Sequence, residues 1–144
     1  MGFGVIFTDG KQVELVDYGV AVTVSGDTFE HRLLSLANDL HALFEHHKPH
    51  VVAVEKLYFG KSSSTAMKVA EARGVAMLMA AQSGAPVFEF TPAQVKKALT
   101  GDGKATKSGV QKMVKELLGL PKPPKPDDAA DALAIAITAA NKKW

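Results

Sequence analysis

An α/β fold with a mixed sheet flanked by helices is what this sequence predicts, and three observations predict it. The elements succeed one another as ββαβαβααα, so strands and helices alternate through the middle of the chain. A hairpin signal, Asp9-Gly10, joins the first two strands and sets an antiparallel pair beside the later ones. The 144 residues, 47% hydrophobic and 22% charged, suit one core, so residues 1–144 are expected to form a single domain.

Each element has its own warrant. GFGVIFT (2–8) and VELVDYGVAVTV (13–24) are β-rich. From Asp27 the pattern turns helical: Phe29, Leu33, Leu36, Leu40, Leu43 and Phe44 recur at spacings of three and four, and Pro49 closes the segment. HVVAVE (50–55) is a short apolar run of the kind buried on both faces of a sheet. A long helix from about Ser64 to Gln82 and a short strand, 86–90, follow. Thr91-Pro92 is an N-cap and first-turn pair opening a helix that stops near Gly101. The loop GDGKAT leads into an amphipathic helix carrying Val110, Met113, Val114, Leu117 and Leu118. PKPPKP (121–126) is read as a loop within the domain, because too little chain follows it for a second core.

Charge is unevenly spread. The net formal charge is only +2, yet residues 1–50 hold three Lys/Arg against seven Asp/Glu, and residues 91–125 hold eight Lys against two acids. A basic segment in a near-neutral domain suggests a polyanion on one face, with a solvated helix face as the plainer reading. The absence of cysteine excludes disulfides and thiolate metal sites and is compatible with the cytoplasm, the expected location. No signal-peptide pattern opens the chain, and charge interrupts the most apolar helix too closely for a membrane span.

The segment PDDAADALAIAIT (126–138) poses the functional question: a helix made for burial opens with Asp127, Asp128 and Asp131. One reading is that Asp127 caps the helix and the other acids favour its positive end, which explains Asp131 poorly. Asp128 and Asp131 lie three apart, on one helical face. Glu55 ends the Val51–Val54 run, where an ionised carboxylate loses hydration unless a cation or donor compensates. A strand-tip carboxylate and two from a facing helix form a hard oxygen set suited to Mg²⁺ or Mn²⁺. Such ions, held ~3.5–4 Å apart, activate a water and stabilise the leaving oxygen of a phosphodiester.

Three stretches carry a resemblance: VVAVEKLYFGKSSSTAMKVAEARGVA, VFEFTPAQVKKALTGDGKATKSGVQKMV and DDAADALAIAIT. Together, from about His50 to Thr138, they resemble the RuvC family of Holliday junction resolvases. That resemblance implies an RNase H-like fold, a homodimer, Mg²⁺-dependent paired nicking of four-way DNA junctions and partnership with the junction-migrating helicase complex. Residue by residue, it puts Glu55 at the family's strand glutamate and Asp128 and Asp131 at the aspartates of its C-terminal helix. Tyr58 falls where the family has an aromatic that stacks at the crossover, and Lys96 and Lys107 fall on basic positions near the scissile strand. Family members begin with a strand reading approximately I-D-P-G, whose aspartate is a further ligand. MGFGVI resembles the strand after it, so the first central strand and its aspartate are expected to be missing, and Asp9, in the hairpin turn, cannot replace it.

The sequence is therefore expected to encode an Mg²⁺-dependent endodeoxyribonuclease acting on four-way junctions in recombination and repair. Catalytic and metal-holding roles fall to Glu55, Asp128 and Asp131, with DNA contacts from Tyr58, Lys61, Lys96, Lys104 and Lys107. The alternative is a non-catalytic junction-binding module, this chain being inactive because a metal ligand is missing. Other signals carry less. GKSS (60–63) lacks the glycine of a phosphate loop, since Glu55 stands at that position. His41, His46, His47 and His50 read as a solvated helix end, and Met67, Met77 and Met79 as core. Lys112 and Lys115 read as a solvated face.

Overall fold

The computed structural model describes residues 1–56 and 64–142. Its elements are β1 (Gly2–Thr8), β2 (Val13–Val20), α1 (Phe29–His47), β3 (Val52–Glu55), α2 (Ser64–Ser83), β4 (Val87–Phe90), α3 (Pro92–Thr100), α4 (Lys107–Leu117) and α5 (Asp127–Ala140). This is the expected order. The second strand ends at Val20 rather than Val24, and just past its end Met1 and Ala21 exchange backbone hydrogen bonds.

β1 and β2 are antiparallel, with a bulge between Val5 and Ile6, and β3 and β4 are parallel. Both orientations are present, but as two two-stranded pieces. Among the described residues no strand joins β1 to β3, so each keeps an edge without a ladder partner. For the same reason β3 is half-buried rather than buried on both faces.

Helix boundaries follow from local chemistry. Thr91 and Gln94 form a reciprocal capping box with Pro92 in the first turn of α3, and Gly101, at φ 83°, ends that helix. Thr106 Oγ1 accepts from the Gly109 N–H and opens α4. Lys48, in the left-handed region at φ 46°, ends α1 just before Pro49.

α5 organises the larger core. Leu133, Ala134 and Ile137 are sealed from water and pack with Phe90, Val95, Leu99, Val110 and Val114 from β4, α3 and α4. Each large side chain so buried contributes about 1.5–3 kcal/mol. β1 lies directly on α5: a Cβ at Gly2 would stand 2.1 Å from the Asp128 carbonyl oxygen, and one at Gly4 2.7 Å from Leu133 Cδ2. A second, smaller cluster joins α1 to α2 through Leu36 and Leu40, with Leu43, Phe44, Val75 and Met79 partly covered. Met67 is a correction to the expected core methionines: it is 60% exposed.

Candidate active site

β3 and α5 bring two of the three expected carboxylates together. Glu55 is the last residue of β3, and the Lys56 N–H donates to the Phe90 carbonyl at 2.8 Å, which keeps the strand tip paired with β4. Phe90 is the register partner of Glu55, so alternation aims both side chains at the face where Phe90 joins the α5 core. Partial withdrawal from water and, second, the charge of Asp131 push the Glu55 carboxyl above its ordinary value. Although Glu55 remains exposed, it feels the like charge on the facing helix.

Asp131 also faces a cation: Lys107 Nζ, from the first turn of α4, lies 3.7 Å from its Oδ2. The same ammonium lies 3.6 Å from Asp127 Oδ2. These distances describe loose ion pairs, and more than half of the lysine side chain is exposed. Asp127 is not the helix cap that the sequence allows. Pro126 takes that position, and its ring has no acceptor to offer. Asp127, in the first turn, instead draws Gln111 Nε2 (3.2 Å), Lys125 Nζ (3.5 Å) and Lys107. The Gln111 hydrogen bond first, then the Lys107 and Lys125 charges, hold its carboxyl below the ordinary range.

Asp128 is exposed in the first turn of α5, three residues before Asp131. Among the described residues no three His, Asp or Glu side chains converge on one point. The donor set still suits a hard divalent cation. Glu55 and Asp131 offer only carboxylate oxygens, and their mutual repulsion is of the kind a cation relieves. Asp9, as expected, is used up in the hairpin turn, where its Oδ1 accepts from the Lys11 and Gln12 N–H groups at 2.8 and 2.9 Å.

Lys96 is half-buried on α3, and Lys104 is exposed in the loop between α3 and α4. That loop binds itself: Asp102 N–H donates to Thr100 Oγ1 at 3.1 Å, and Lys104 N–H to Asp102 Oδ1 at 2.8 Å. Tyr58 and Lys61 lie outside the described residues.

A profile of the family described as "Crossover junction endodeoxyribonuclease RuvC" matches residues 1–139. The chain is 52% identical over 139 residues to the crossover junction endodeoxyribonuclease RuvC of Gloeobacter violaceus, covering 96% of this chain and 80% of that one. It is 51% identical over 137 residues to the Chloroflexus aggregans protein of the same name, covering 95% and 84%. The chain belongs to the RuvC family. The fold agrees: the Thermus thermophilus RuvC structure superposes with a TM-score of 0.89 at 36% identity, covering 97% of this chain and 86% of that one. T. thermophilus RuvC in complex with Holliday junction substrate gives 0.87 at 33%, covering 97% and 85%. The RNase H-like class follows, and RuvC nucleases are metal-dependent hydrolases. No described helix is long and apolar enough to cross a membrane.

Sequence reasoning missed three groups that the fold uses. Gln111 steadies Asp127, a hydrogen bond across 16 residues that no periodicity marks. His47, read as solvated, instead sets its Nε2 2.9 Å from Asp17 Oδ2 and ties α1 to β2. Arg73 reaches the backbone of Glu55 itself. Its only advance signal was rarity, since the chain has just two arginines.

Proposed function

We propose that this protein is a structure-selective endonuclease that cuts four-way DNA junctions by metal-dependent phosphodiester hydrolysis, in recombination and repair. The observation that carries the reading is that Glu55, at a strand tip, feels the charge of Asp131 on the facing helix, with the Lys107 ammonium beside Asp131. Glu55 and Asp131, joined by Asp128 from the same helical turn, would hold Mg²⁺, with Mn²⁺ as a substitute. Bound there, the ion supplies an activated water and charge for the leaving oxygen. Lys107 is loosely paired and exposed, so its ammonium turns from Asp131 to a phosphate oxygen at little cost and steadies the charge that develops there. Lys96 and Lys104 grip flanking phosphates. Tyr58 opens the crossover by stacking, and Lys61 holds a further phosphate.

The chain is read as one domain over residues 1–144 that works in the cytoplasm as a homodimer beside a junction-migrating helicase complex. A dimer places two such sites on one junction, as paired nicking needs, and the apolar side chains exposed on α1 and α2 suit a partner surface.

The test is a synthetic four-way junction with and without Mg²⁺. Nicking that depends on Mg²⁺ supports the reading, and Glu55→Gln and Asp131→Asn are then expected to retard the junction at parental affinity without cutting. A junction retarded but never cut by the parent would instead make the protein a binding module. Binding should weaken with salt, and Lys96→Ala/Lys107→Ala should lower the slope by about one unit for each phosphate no longer neutralised. An unchanged slope would return both lysines to a solvated face.

A further inference from the structure

Arg73 stands in the middle of α2, and its guanidinium grips two strands at once. Nε donates to the Glu55 carbonyl at 2.9 Å, and Nη2 pairs with Glu89 Oε2 on β4. Glu89 is the register partner of Val54, one residue before Glu55. Successive side chains of a strand point to opposite faces, so Glu89 and Arg73 lie on the face away from the Glu55 carboxylate. The guanidinium therefore holds the backbone of Glu55 from behind. Glu89 neutralises its charge, so it does not compete as a counter-ion for the acids in front.

The clamp acts where the strand needs it. Among the described residues the ladder between β3 and β4 ends with the Lys56–Phe90 bond, and no backbone group of the sheet fixes the carbonyl of Glu55. A small rotation of that peptide would swing the carboxylate away from Asp131. Arg73 is only 25% exposed, which favours a fixed geometry over a fluctuating surface pair.

We infer that Arg73, locked by Glu89, is a positioning residue that sets the Glu55 backbone so that its carboxylate meets Asp131. The inference rests on the reading of Glu55 and Asp131 as the metal-holding pair. The probe is Mn²⁺ alone, titrated calorimetrically into the 144-residue chain, beside junction retardation and the melting temperature. Arg73→Gln should weaken Mn²⁺ on the order of tenfold, as loss of a group supporting a ligand does, with junction retardation unchanged. Arg73→Lys keeps the pairing with Glu89 but cannot fork to the carbonyl, so it should fall with Arg73→Gln. Glu89→Gln, which keeps the carbonyl bond and spares the fold should Arg73→Gln fail, should give a smaller loss in the same direction. A lowered melting temperature with parental Mn²⁺ affinity in Arg73→Gln, or in Glu89→Gln where the former does not fold, would make Arg73 merely structural and overturn the inference. Parental Mn²⁺ affinity in Glu55→Gln would overturn the metal-site reading itself, whatever the Arg73 variants do.

Discussion

The half of the molecule built around α5 and the half built from α1 and α2 are unlike in how they bury their apolar residues. Around α5, the helices α3 and α4 and the strand β4 close on a shared apolar cluster, and Leu133 is fully sealed. In the cluster between α1 and α2 the buried helical residues described are Leu36 and Leu40, while Leu34, Val69 and Leu78 remain about half exposed. The carboxylates stand on the first half. Chemistry that depends on fixed distances is thereby mounted on the part with the least freedom, and the looser part is left to present surface.

The sharpest way to break this comparison is to cut equal volumes from both halves. Leu133→Ala should cost near the top of the ~2–5 kcal/mol range for such truncations, and Leu40→Ala near the bottom, because the thin layer collapses around a gap more readily. Urea denaturation of both variants decides it, and equal losses would erase the distinction. A smaller effect tests the tie between α1 and β2: His47→Ala removes the pairing with Asp17 and should cost about 1 kcal/mol in the same assay.

Next comes the acid pair. Because the folded-state pKa of Glu55 is raised, the folded chain holds that proton more firmly than the unfolded one. Stability due to this group is therefore present at low pH and is lost as pH rises from its ordinary value, 4.5, through the raised one. Glu55→Gln should flatten that decline and melt higher than the parent above it, as seen in melting temperature against pH. Asp131→Asn should do so less, since its charge is the second cause of the shift and not the first. The smallest effect is expected at Asp127. Its depressed carboxyl gives stability above its ordinary value that is lost as pH falls through the folded one. Asp127→Asn should melt slightly below the parent near neutrality and level with it in acid, and a constant difference would mean that charge plays no part.

Legibility in the sequence divides along the same line as the structure. Helices and strands were readable because burial imposes a period on them: Leu36 and Leu40 in α1, Val110 and Val114 in α4, each fall on the face the spacing predicts. Glu55 and Asp131 stand out in the sequence because a carboxylate at the end of an apolar strand run or inside an apolar helix is out of place. Arg73 does not, because its partner is a backbone carbonyl, which every residue carries and no sequence pattern distinguishes. The division of the sheet into two pieces was not legible: among the described residues β1 pairs only with β2 and β3 only with β4.

The two glycines of β1 place different demands on second-site suppression. At Gly2 the obstacle to any side chain is the main chain of α5, at the Asp128 carbonyl, and no replacement elsewhere shortens a backbone. At Gly4 the nearest obstacle is the tip of Leu133, which a smaller residue would withdraw, although Leu133 Cα still stands 3.0 Å away. A genetic screen starting from Gly4→Ala therefore has somewhere to go, and one starting from Gly2→Ala does not. The helix that carries the acids is thus registered against the strand beneath it by one position whose alphabet has a single letter.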